Sequence, residues 1–427
     1  MKIIIVGAGL GGLTAAFRLA KSGHDVEVLE RSSTLVPKGG AINVRAGGSR
    51  AMVSWGLAPD FEAIASETPH TLLRSRATGD VMMRNIVTDA SDVPDWGLMR
   101  QDVMKVLHKK CQEVGAKFHF GQVVAAVDDD AERAVVKMAD GTTMEADLVL
   151  AADGVRSRIR SQILSDLNGA HDPIISDFNF YGVIVDEAEL VGRPGTKRLM
   201  EGNNINIWMG SGGYTVTRFH SKFRQVDALF GVISEVDGKA LWDEKGDIEF
   251  VRNFYKDDCS ELVQILAAAK SCDRWKLAEL PDLPRWTSKA GRVLLLGDSA
   301  HAMHPSAALG YTTIIEDVAV LDSLISWQGL TDKDLVKQIP QIATDWQAIC
   351  KPRAERIKAY SRANTDMFCG HPPTPLDNLE RRNIKSLKGI EADMNAKFTT
   401  GRFTKWSLDY NAIAAAKKYI REARARI

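Results

Sequence analysis

Residues 2–30 read KIIIVGAGLGGLTAAFRLAKSGHDVEVLE, and this stretch decides the fold. An apolar run over residues 3–6 predicts a β-strand, and an alanine-rich run over residues 13–21 predicts a helix that ends near Gly23. A second strand is predicted over residues 26–29 and stops at Glu30. Strand, glycine turn, helix and strand in this order form half of a dinucleotide-binding unit.

The turn GAGLGG carries the spacing G-x-G-x-x-G, in which each glycine has its own task. Gly7 is expected to form the tight turn, Gly9 to let the backbone approach a pyrophosphate, and Gly12 to let helix and strand pack closely. The free N–H groups of the helix would then bind the phosphates. Glu30 follows Gly7 by 23 residues, where a carboxylate accepts ribose hydroxyls and repels a 2′-phosphate. The spacing alone leaves NAD and FAD open.

The composition disfavours several other classes of protein. The chain has 427 residues with 55 basic and 55 acidic side chains, so it offers no surplus charge to a nucleic acid or an anionic membrane. No apolar run reaches the roughly 18 residues that a membrane span needs. The five cysteines form no CxxC pair and predict neither a disulfide framework nor a zinc site. With no targeting segment ahead of the first strand, we expect a cytoplasmic protein.

The rest of the chain predicts a discontinuous dinucleotide-binding domain, formed by residues 1–73, 100–165 and 290–345. Between its parts, β-rich runs predict an inserted antiparallel sheet domain formed by residues 74–99 and 166–289. Residues 346–427 are predicted to be mostly helical and to end in a basic amphipathic helix with one solvated face. The glycine-rich residues 37–48 are expected to form a loop against a ligand.

Two aspartates each follow an apolar strand. Residues 148–154 read LVLAADG, and residues 293–298 read VLLLGD. Asp153 and Asp298 are therefore predicted at the carboxyl ends of strands, where open α/β sheets bind ligands. His301 and His304 follow closely, but the sequence offers no third ligand, so we expect packing or hydrogen bonds within the turn and no metal site.

With these three motifs in this order, the chain from residue 2 to about residue 330 resembles the group A flavin monooxygenases, the aromatic hydroxylases typified by para-hydroxybenzoate and salicylate hydroxylases. The resemblance implies an α/β fold, with a Rossmann-like FAD-binding domain, an inserted antiparallel β-sheet substrate domain and a helical C-terminal tail. It also implies that Asp153 forms the DG segment and that Asp298, in the GD segment, holds the ribityl chain and pyrophosphate. The implied FAD-binding residues are Gly7, Gly9, Gly12, Glu30, Arg31, Arg100, Asp153, Asp298, Pro305, Gly310 and Thr312.

The resemblance further implies the reaction. NAD(P)H would reduce FAD, and O2 would form a flavin C4a-hydroperoxide that hydroxylates or epoxidises an electron-rich aromatic small molecule. We expect FAD to be held non-covalently, because the segment 39–48 contains no histidine or cysteine. A reductase or dehydrogenase of the same superfamily and a flavin-binding module without turnover are the alternatives. The sequence leaves open the substrate, the choice of NADH or NADPH, and whether the protein is a monomer or a homodimer.

The segment after the GD motif departs from the family pattern Pro-x-x-Gly-Gln-Gly-x-Asn. It reads PSAALGYT over residues 305–312, with Ala308, Leu309 and Thr312 in place of glycine, glutamine and asparagine. Thr312 or Thr313 is expected to cap the helix that follows, since Thr313 and Glu316 have capping-box spacing. That helix would point its N-terminus at the pyrimidine end of the flavin and stabilise the reduced anion.

In the family, the aromatic ring lies between the flavin and the antiparallel sheet, so one face of a strand is expected to select the substrate. Alternation over residues 214–220 puts Tyr214, Arg218 and His220 on one face, where they are the candidates to bind a carboxylate or accept a proton. Exposure of Arg218 and His220 to solvent is the alternative. Arg45 is the candidate contact to flavin or nicotinamide phosphate, and Tyr181 is a weaker pocket candidate.

Overall fold

The structure, a computed structural model, describes residues 1–36, 39–67, 70–86, 92–234, 241–243, 245–326, 332–370, 389–398 and 400–424. Its strands are β1 Lys2–Val6, β2 Asp25–Glu30, β3 Ala41–Val44, β4 Ser66–Glu67, β5 His70–Ser75, β6 Val81–Ile86, β7 Trp96–Met99, β8 Lys117–Phe120, β9 Val124–Asp129, β10 Ala134–Met138, β11 Thr143–Ala146, β12 Leu148–Ala151, β13 Ile174–Asp186, β14 Ile205–Gly210, β15 Gly213–His220, β16 Gln225–Ile233, β17 Trp242–Asp243, β18 Asp273–Glu279 and β19 Val293–Leu295. Its helices are α1 Leu10–Lys21, α2 Ala46–Ser54, α3 Ala58–Ile64, α4 Arg100–Glu113, α5 Arg158–Ile163, α6 Glu187–Leu190, α7 Lys197–Met200, α8 Ile248–Phe254, α9 Ser260–Ala268, α10 Asp298–His301, α11 Gly310–Ser326, α12 Asp332–Phe368, α13 Gly401–Leu408 and α14 Ala412–Arg424.

Strands from distant parts of the chain build a parallel sheet of five strands in the order β19-β12-β1-β2-β8. Ile4 of β1 and Val149 of β12 are fully buried, as expected for a parallel sheet that is covered on both faces. Helix α1 packs against α4 and α11, and β1 also contacts β11 of a separate sheet formed by β9, β10 and β11. The predicted Rossmann-like domain is confirmed.

The inserted sheet has eight strands in the order β17-β18-β13-β16-β15-β14-β5-β6. All of its neighbouring strands run antiparallel except β14 and β5, which run parallel. The predicted division after residue 73 falls inside β5, because His70–Ser75 already belongs to this sheet. Strand β7, which the prediction assigns to the same domain, instead pairs with β3 and β4 in a second three-stranded sheet.

The glycine-rich segment is more regular than predicted, apart from residues 37–38, which lie outside the described residues. It contains strand β3 and the first turn of α2 instead of an irregular loop. A Cβ atom at Gly47 would lie 2.2 Å from a carboxylate oxygen of Glu316, and one at Gly48 would lie 3.2 Å from Ile315. These two glycines therefore let α2 approach α11 closely.

The described parts of the C-terminal region are mostly helical, as predicted. Helix α12 has 37 residues, and the amphipathic α14 packs on α11 with Ala412, Ala416 and Ile420 buried in the main apolar core. No helix within the described ranges is both long and apolar enough to cross a membrane. All five cysteines are buried free thiols.

Candidate active site

Four of the predicted cofactor residues lie at one edge of the parallel sheet. Strands β1, β2, β12 and β19 are paired in register, so the chain leaves all four at the same edge. Gly7, Glu30, Asp153 and Asp298 lie at or just beyond these strand ends. This is the edge at which parallel α/β sheets bind nucleotides.

The glycines of the first turn differ in what surrounds them. Gly7 has φ +104°, and a Cβ there would lie 2.5 Å from the carbonyl oxygen of Ala152. A Cβ at Gly12 would lie only 1.9 Å from the carbonyl oxygen of Gly7. At Gly9, no described atom outside its immediate chain neighbours lies within 4 Å of such a Cβ. Gly7 and Gly12 are thus required by backbone packing, whereas Gly9 borders open space.

Glu30 borders a pocket at this edge. Its carboxylate accepts hydrogen bonds from the backbone N–H groups of Ala8 (2.8 Å) and Ser32 (2.9 Å). These bonds fix the carboxylate where β2 ends. Arg31 is exposed and does not line the pocket. The lining residues are Ala8, Gly9, Glu30, Ser32, Leu35, Val36, Arg100 and Met104.

Two buried polar atoms at this edge have no partner among the described residues. They are Nε of Arg100, in the pocket wall, and Oδ1 of Asp153. Burial raises the pKa of the Asp153 carboxyl, although hydrogen bonds from Ser157 and from nearby backbone N–H groups oppose the shift. Buried polar groups are normally satisfied, so these atoms fit a polar ligand at this edge. Asp298 is exposed at the start of α10 and is free to join them.

A buried arginine that sequence analysis missed ties the two aspartate turns together. The guanidinium of Arg160 donates to the carbonyl oxygens of Val155 (2.9 Å) and Ser299 (3.2 Å). The hydroxyl of Ser299 in turn donates to the carbonyl oxygen of Ala151 (2.5 Å). Arg160 stands in the run RSRIR beside two exposed arginines, and no local signal distinguishes it from them.

The two histidines after the GD segment form hydrogen bonds to helices instead of within their own turn. His301 Nε2 lies 2.7 Å from Asp317 Oδ2 of α11, with both side chains buried. His304 Nδ1 lies 2.9 Å from the hydroxyl of Thr365 in α12. In the part of the chain that the structure describes, no cluster of three metal-ligating side chains is found.

The segment that departs from the family pattern keeps a glycine-like backbone. Pro305 opens a 3-10 turn, and Ala308 after it has φ +54°, in the left-handed region that favours glycine. Leu309 is buried with Ala307 and Ile357 in a small apolar cluster, so an apolar contact stands where the family has glutamine. We call residues 305–312 the flavin loop.

The predicted helix cap after this loop is wrong. Helix α11 already begins at Gly310, which places both threonines in its first turn. Thr312 Oγ1 accepts a hydrogen bond from the backbone N–H of Arg45 (2.9 Å), and Thr313 Oγ1 donates to the carbonyl four residues before it. Glu316 forms a buried ion pair with Arg353 (2.7 Å) instead of closing a capping box. The Thr312 hydroxyl therefore joins α11 to the start of α2, and the Thr313 hydroxyl bonds to the turn before it.

The predicted face of β15, which carries Tyr214, Arg218 and His220, is directed at the FAD-binding domain, and we call it the sheet face. The Tyr214 hydroxyl lies 2.7 Å from the Ser306 hydroxyl in the flavin loop, and Arg218 Nη2 donates to the side-chain oxygen of Asn43 in β3. Tyr214, Arg218 and His220 are 1%, 4% and 2% exposed. The alternative that Arg218 and His220 face solvent is wrong.

Arg218 is a buried cation with spare hydrogen-bonding capacity. Among the described residues, its Nε and Nη1 atoms have no hydrogen-bond partner. Burial lowers the pKa of the guanidinium to about 10, although the nearby carboxylates of Asp227 and Asp95 oppose the shift. The group stays charged at neutral pH, and its unpaired N–H groups can bind an anion.

His220 lies close by as a neutral ring. Burial and the charge of Arg218 lower its pKa to about 3. Its Nδ1 lies 3.4 Å from the hydroxyl of Ser66, and its Nε2 has no partner in the described ranges. A ring with so low a pKa is a poor base, so His220 is better suited to hydrogen bonding than to proton abstraction.

Asp227 of β16 is a buried carboxyl group that lies opposite Arg218 on the neighbouring strand. Burial raises its pKa to about 6, although a hydrogen bond from the backbone N–H of Ala41 (3.2 Å) and the charge of Arg218 oppose the shift. A second carboxylate, Asp95, forms an ion pair with Arg45 Nε (2.5 Å). The Arg45 guanidinium is therefore already paired, while its backbone N–H binds the flavin loop.

Tyr181 lies on the other side of the inserted sheet. It pairs with Phe230 of β16, which in turn pairs with Thr215, the residue next to Tyr214 on β15. Because neighbouring residues of a strand point to opposite faces, Tyr181 and Tyr214 are on opposite sides. Tyr181 packs there with Phe250 in the apolar cluster under α8 and α9, so its assignment to the pocket is wrong.

Known proteins resemble this chain over most of its length. A family model described as FAD binding domain matches residues 1–328. The FAD-dependent monooxygenase OpS4 of Beauveria bassiana (strain ARSEF 2860) is 26% identical over 97% of this chain and 96% of its own length. The 6-hydroxynicotinate 3-monooxygenase of Pseudomonas fluorescens is 26% identical over 87% of this chain and 93% of its own length.

Solved structures with the same fold include a substrate complex of salicylate hydroxylase, with a TM-score of 0.79 and 19% identity over 98% of both chains. The structure of CtdE in complex with FAD and substrate 4 has a TM-score of 0.84 and 19% identity, and covers 99% of this chain and 98% of its own. Both likenesses extend across the parallel sheet, the inserted sheet and the C-terminal helices.

Proposed function

Since the chain belongs to the FAD binding domain family, among the group A FAD-dependent monooxygenases of the para-hydroxybenzoate and salicylate hydroxylase type, we propose that it hydroxylates or epoxidises an aromatic small molecule. NAD(P)H and O2 are the proposed co-substrates. The observation that carries the proposal is Arg218, a buried and partly unpaired cation on the sheet face that contacts the flavin loop. A cytoplasmic location and a monomeric or homodimeric state stay predictions.

The sheet edge with Gly7, Glu30, Asp153 and Asp298, which we call the cofactor edge, would hold FAD through backbone and carboxylate groups. Gly9 and the start of α1 would meet the pyrophosphate, and Glu30 would accept the ribose hydroxyls. Arg100 and Asp153 would use their unpaired atoms, and Asp298 would bind from the end of β19. When bound, FAD supplies hydride acceptance and oxygen activation, and the protein contributes position and a dry environment.

The sheet face would select and orient the substrate. The spare N–H groups of Arg218 match a carboxylate or phenolate oxygen, and burial strengthens such a contact because water does not compete. Tyr214 and His220 would add hydrogen bonds at neutral pH, with Tyr214 at the flavin-loop end. The name of the Pseudomonas fluorescens relative, a hydroxynicotinate monooxygenase, supports an aromatic carboxylate.

The cofactor part of the proposal is tested by purification. The protein should be yellow and should release intact FAD on denaturation, with none left covalently attached. Recovery of protein with bound NAD would contradict it. Flavin that stays on the polypeptide after denaturation would overturn the non-covalent assignment.

The substrate part is tested with a panel of hydroxylated aromatic acids and their analogues without the carboxylate. We expect acids to accelerate NAD(P)H oxidation, and Arg218→Met to raise KM by about 10- to 100-fold through the lost charged contact, with FAD content unchanged. Arg84→Met, at an exposed arginine of the same sheet, is the matched control. Equal KM values in the Arg218 variant and the control would place the acid-binding group elsewhere.

The same assay separates the two alternatives. A reductase or dehydrogenase would oxidise NAD(P)H without placing oxygen in the aromatic product. A flavin-binding module without turnover would bind FAD and show no acceleration with any acid of the panel.

A further inference from the structure

A continuous row of hydroxyl and imidazole groups leads away from the buried tyrosine of the sheet face. The Tyr214 hydroxyl lies 2.7 Å from that of Ser306, which lies 2.6 Å from that of Thr365. The Thr365 hydroxyl lies 2.9 Å from Nδ1 of His304. We call these four side chains the Thr365 path. It joins the inserted sheet, the flavin loop and helix α12.

The outer end of the Thr365 path meets a charged pair near solvent. His304 Nε2 lies 3.6 Å from Glu279 Oε2, and the Glu279 carboxylate accepts two hydrogen bonds from Arg362 (3.0 and 3.1 Å). The side chains of His304 and Glu279 are 12% and 11% exposed, and that of Arg362 is 47% exposed. Water therefore reaches this end, whereas the Tyr214 end is closed.

The charges around this outer end come from two elements and a loop. Glu279 ends β18, Arg362 and Lys358 lie on α12, and Asp282 in the loop after β18 forms an ion pair with Lys358. Asp366, also on α12, is close enough to act on Arg362. Burial raises the pKa of Glu279, but hydrogen bonds from His304 and Arg362 outweigh it and bring the pKa down to about 2. Glu279 is therefore a fixed acceptor that orients the imidazole.

The inner end of the path is a neutral phenol. Burial raises the pKa of Tyr214 well above its ordinary value, and only the hydrogen bond with Ser306 opposes this shift among side-chain contacts. A hydroxyl can both donate and accept a hydrogen bond, and a neutral imidazole has one nitrogen for each task. Such a row can pass a proton by reorienting its bonds, with no member needing to stay ionised.

The proposed reaction needs a proton inside the protein. Hydroxylation consumes one substrate, one NAD(P)H, one O2 and one proton, and yields hydroxylated product, NAD(P)+ and one water. The hydride and its two electrons come from NAD(P)H; one oxygen atom enters the product and the other leaves as water with the added proton. Resting on the proposed function, we propose that the Thr365 path carries this proton from solvent at His304 through Ser306 of the flavin loop to Tyr214 on the sheet face.

A measurement that does not depend on turnover tests the path in the holoenzyme. Tyrosine labelled with ¹³C at Cζ reports whether the Tyr214 hydroxyl carries hydrogen or deuterium after transfer into D2O. We expect exchange at Tyr214 to slow about tenfold or more in Thr365→Val, which removes the hydroxyl and keeps the shape. Thr365→Ser should restore the wild-type rate, and Thr344→Val, at an exposed threonine of the same helix, should not change it. Equal exchange in wild type and Thr365→Val overturns the path.

Turnover provides the second readout. Thr365→Val is expected to lower kcat about tenfold, to raise the solvent deuterium isotope effect and to leave KM unchanged, since the hydroxyl lies outside the substrate contacts. Added imidazole should partly rescue His304→Ala, because a diffusing acid replaces the missing ring. An unchanged isotope effect in Thr365→Val with an unchanged pH profile contradicts a role in turnover. Failure of the wild type to hydroxylate any aromatic acid would instead overturn the proposed function and leave the exchange result to decide the path.

Discussion

The cofactor edge and the sheet face lie side by side, yet they are built from different parts of the chain. The cofactor edge is mostly backbone: Gly7 and Gly12 set its shape, and Glu30 is fixed by two backbone N–H groups. The sheet face is made of buried polar side chains, among them the charged Arg218, which lies close to Asp227 and is hydrogen-bonded to Asn43. The glycine turn and Glu30 of the first region depend on spacing within thirty residues, whereas the second region depends on contacts between distant segments.

This difference explains the chemistry that each region is suited to. Backbone N–H groups and a helix terminus are rigid, and they recognise the phosphate and ribose of FAD, which stay the same whatever the substrate. The side chains of a strand can be replaced by others while the backbone of the sheet stays in place. A sheet face is therefore suited to select one substrate among many. The comparison therefore predicts that changes in the two regions have separable effects.

The largest expected effect is at Gly12. Gly12→Ala places a methyl group 1.9 Å from the carbonyl oxygen of Gly7, so β1 and α1 must move apart. We expect a loss of more than about 4 kcal/mol in the free energy of unfolding, or no folded protein, measured by denaturant titration. Gly9→Ala is the matched control, since its methyl group enters open space: it should fold normally and bind FAD more weakly. Equal stability of the two variants would contradict a backbone-built edge.

The next effect tests the buried charges of the sheet face through pH. The pKa of Asp227 is raised from 3.8 to about 6, so the folded chain binds this proton more tightly than the unfolded chain. Its contribution to stability is full below about pH 4 and falls by about 3 kcal/mol as the pH rises through 6. Subtracting the stability of Asp227→Asn from that of the wild type across pH 4–8 should show this decline.

The control for this titration is Asp128→Asn, which changes an aspartate whose side chain is 61% exposed. Its stability should follow the wild type across the same range. If the Asp227→Asn and wild-type curves run parallel, Asp227 does not titrate as a buried group and the charge arrangement around Arg218 is wrong.

The smallest expected effect concerns the backbone conformation of Ala308 in the flavin loop. Ala308 has φ +54°, a conformation that costs an alanine about 1 kcal/mol and a glycine almost nothing. Ala308→Gly should raise the free energy of unfolding by up to about 1 kcal/mol. Ala307→Gly, at the preceding position in the 3-10 turn, should lower it by a similar amount. A loss of stability in Ala308→Gly would contradict the left-handed backbone at this residue.

The same comparison accounts for what the sequence could predict. The glycine spacing and the apolar strands before Asp153 and Asp298 are local signals, and the structure brings these residues to one edge. Alternation along β15 correctly assigned Tyr214 and Arg218 to one face. Alternation could not show that Tyr181 points away, because that depends on which strand pairs with which.

The remaining errors have a similar origin. Spacing predicts a helix cap, but the Thr312 hydroxyl bonds to the backbone N–H of Arg45 and the Thr313 hydroxyl bonds to the preceding turn. Arg160 was overlooked because a buried arginine and a solvated one have the same local sequence. Partners such as Asp95 for Arg45 lie far along the chain and are set only by tertiary packing.

The fate of molecular oxygen tests the central claim most directly. The holoenzyme is supplied with NAD(P)H, ¹⁸O2 and the aromatic acid that most accelerates NAD(P)H oxidation, and the product is analysed by mass spectrometry. The account predicts one ¹⁸O atom in the aromatic product for each NAD(P)H oxidised. Product without ¹⁸O, or NAD(P)H oxidation that yields only hydrogen peroxide with every acid tested, would contradict it.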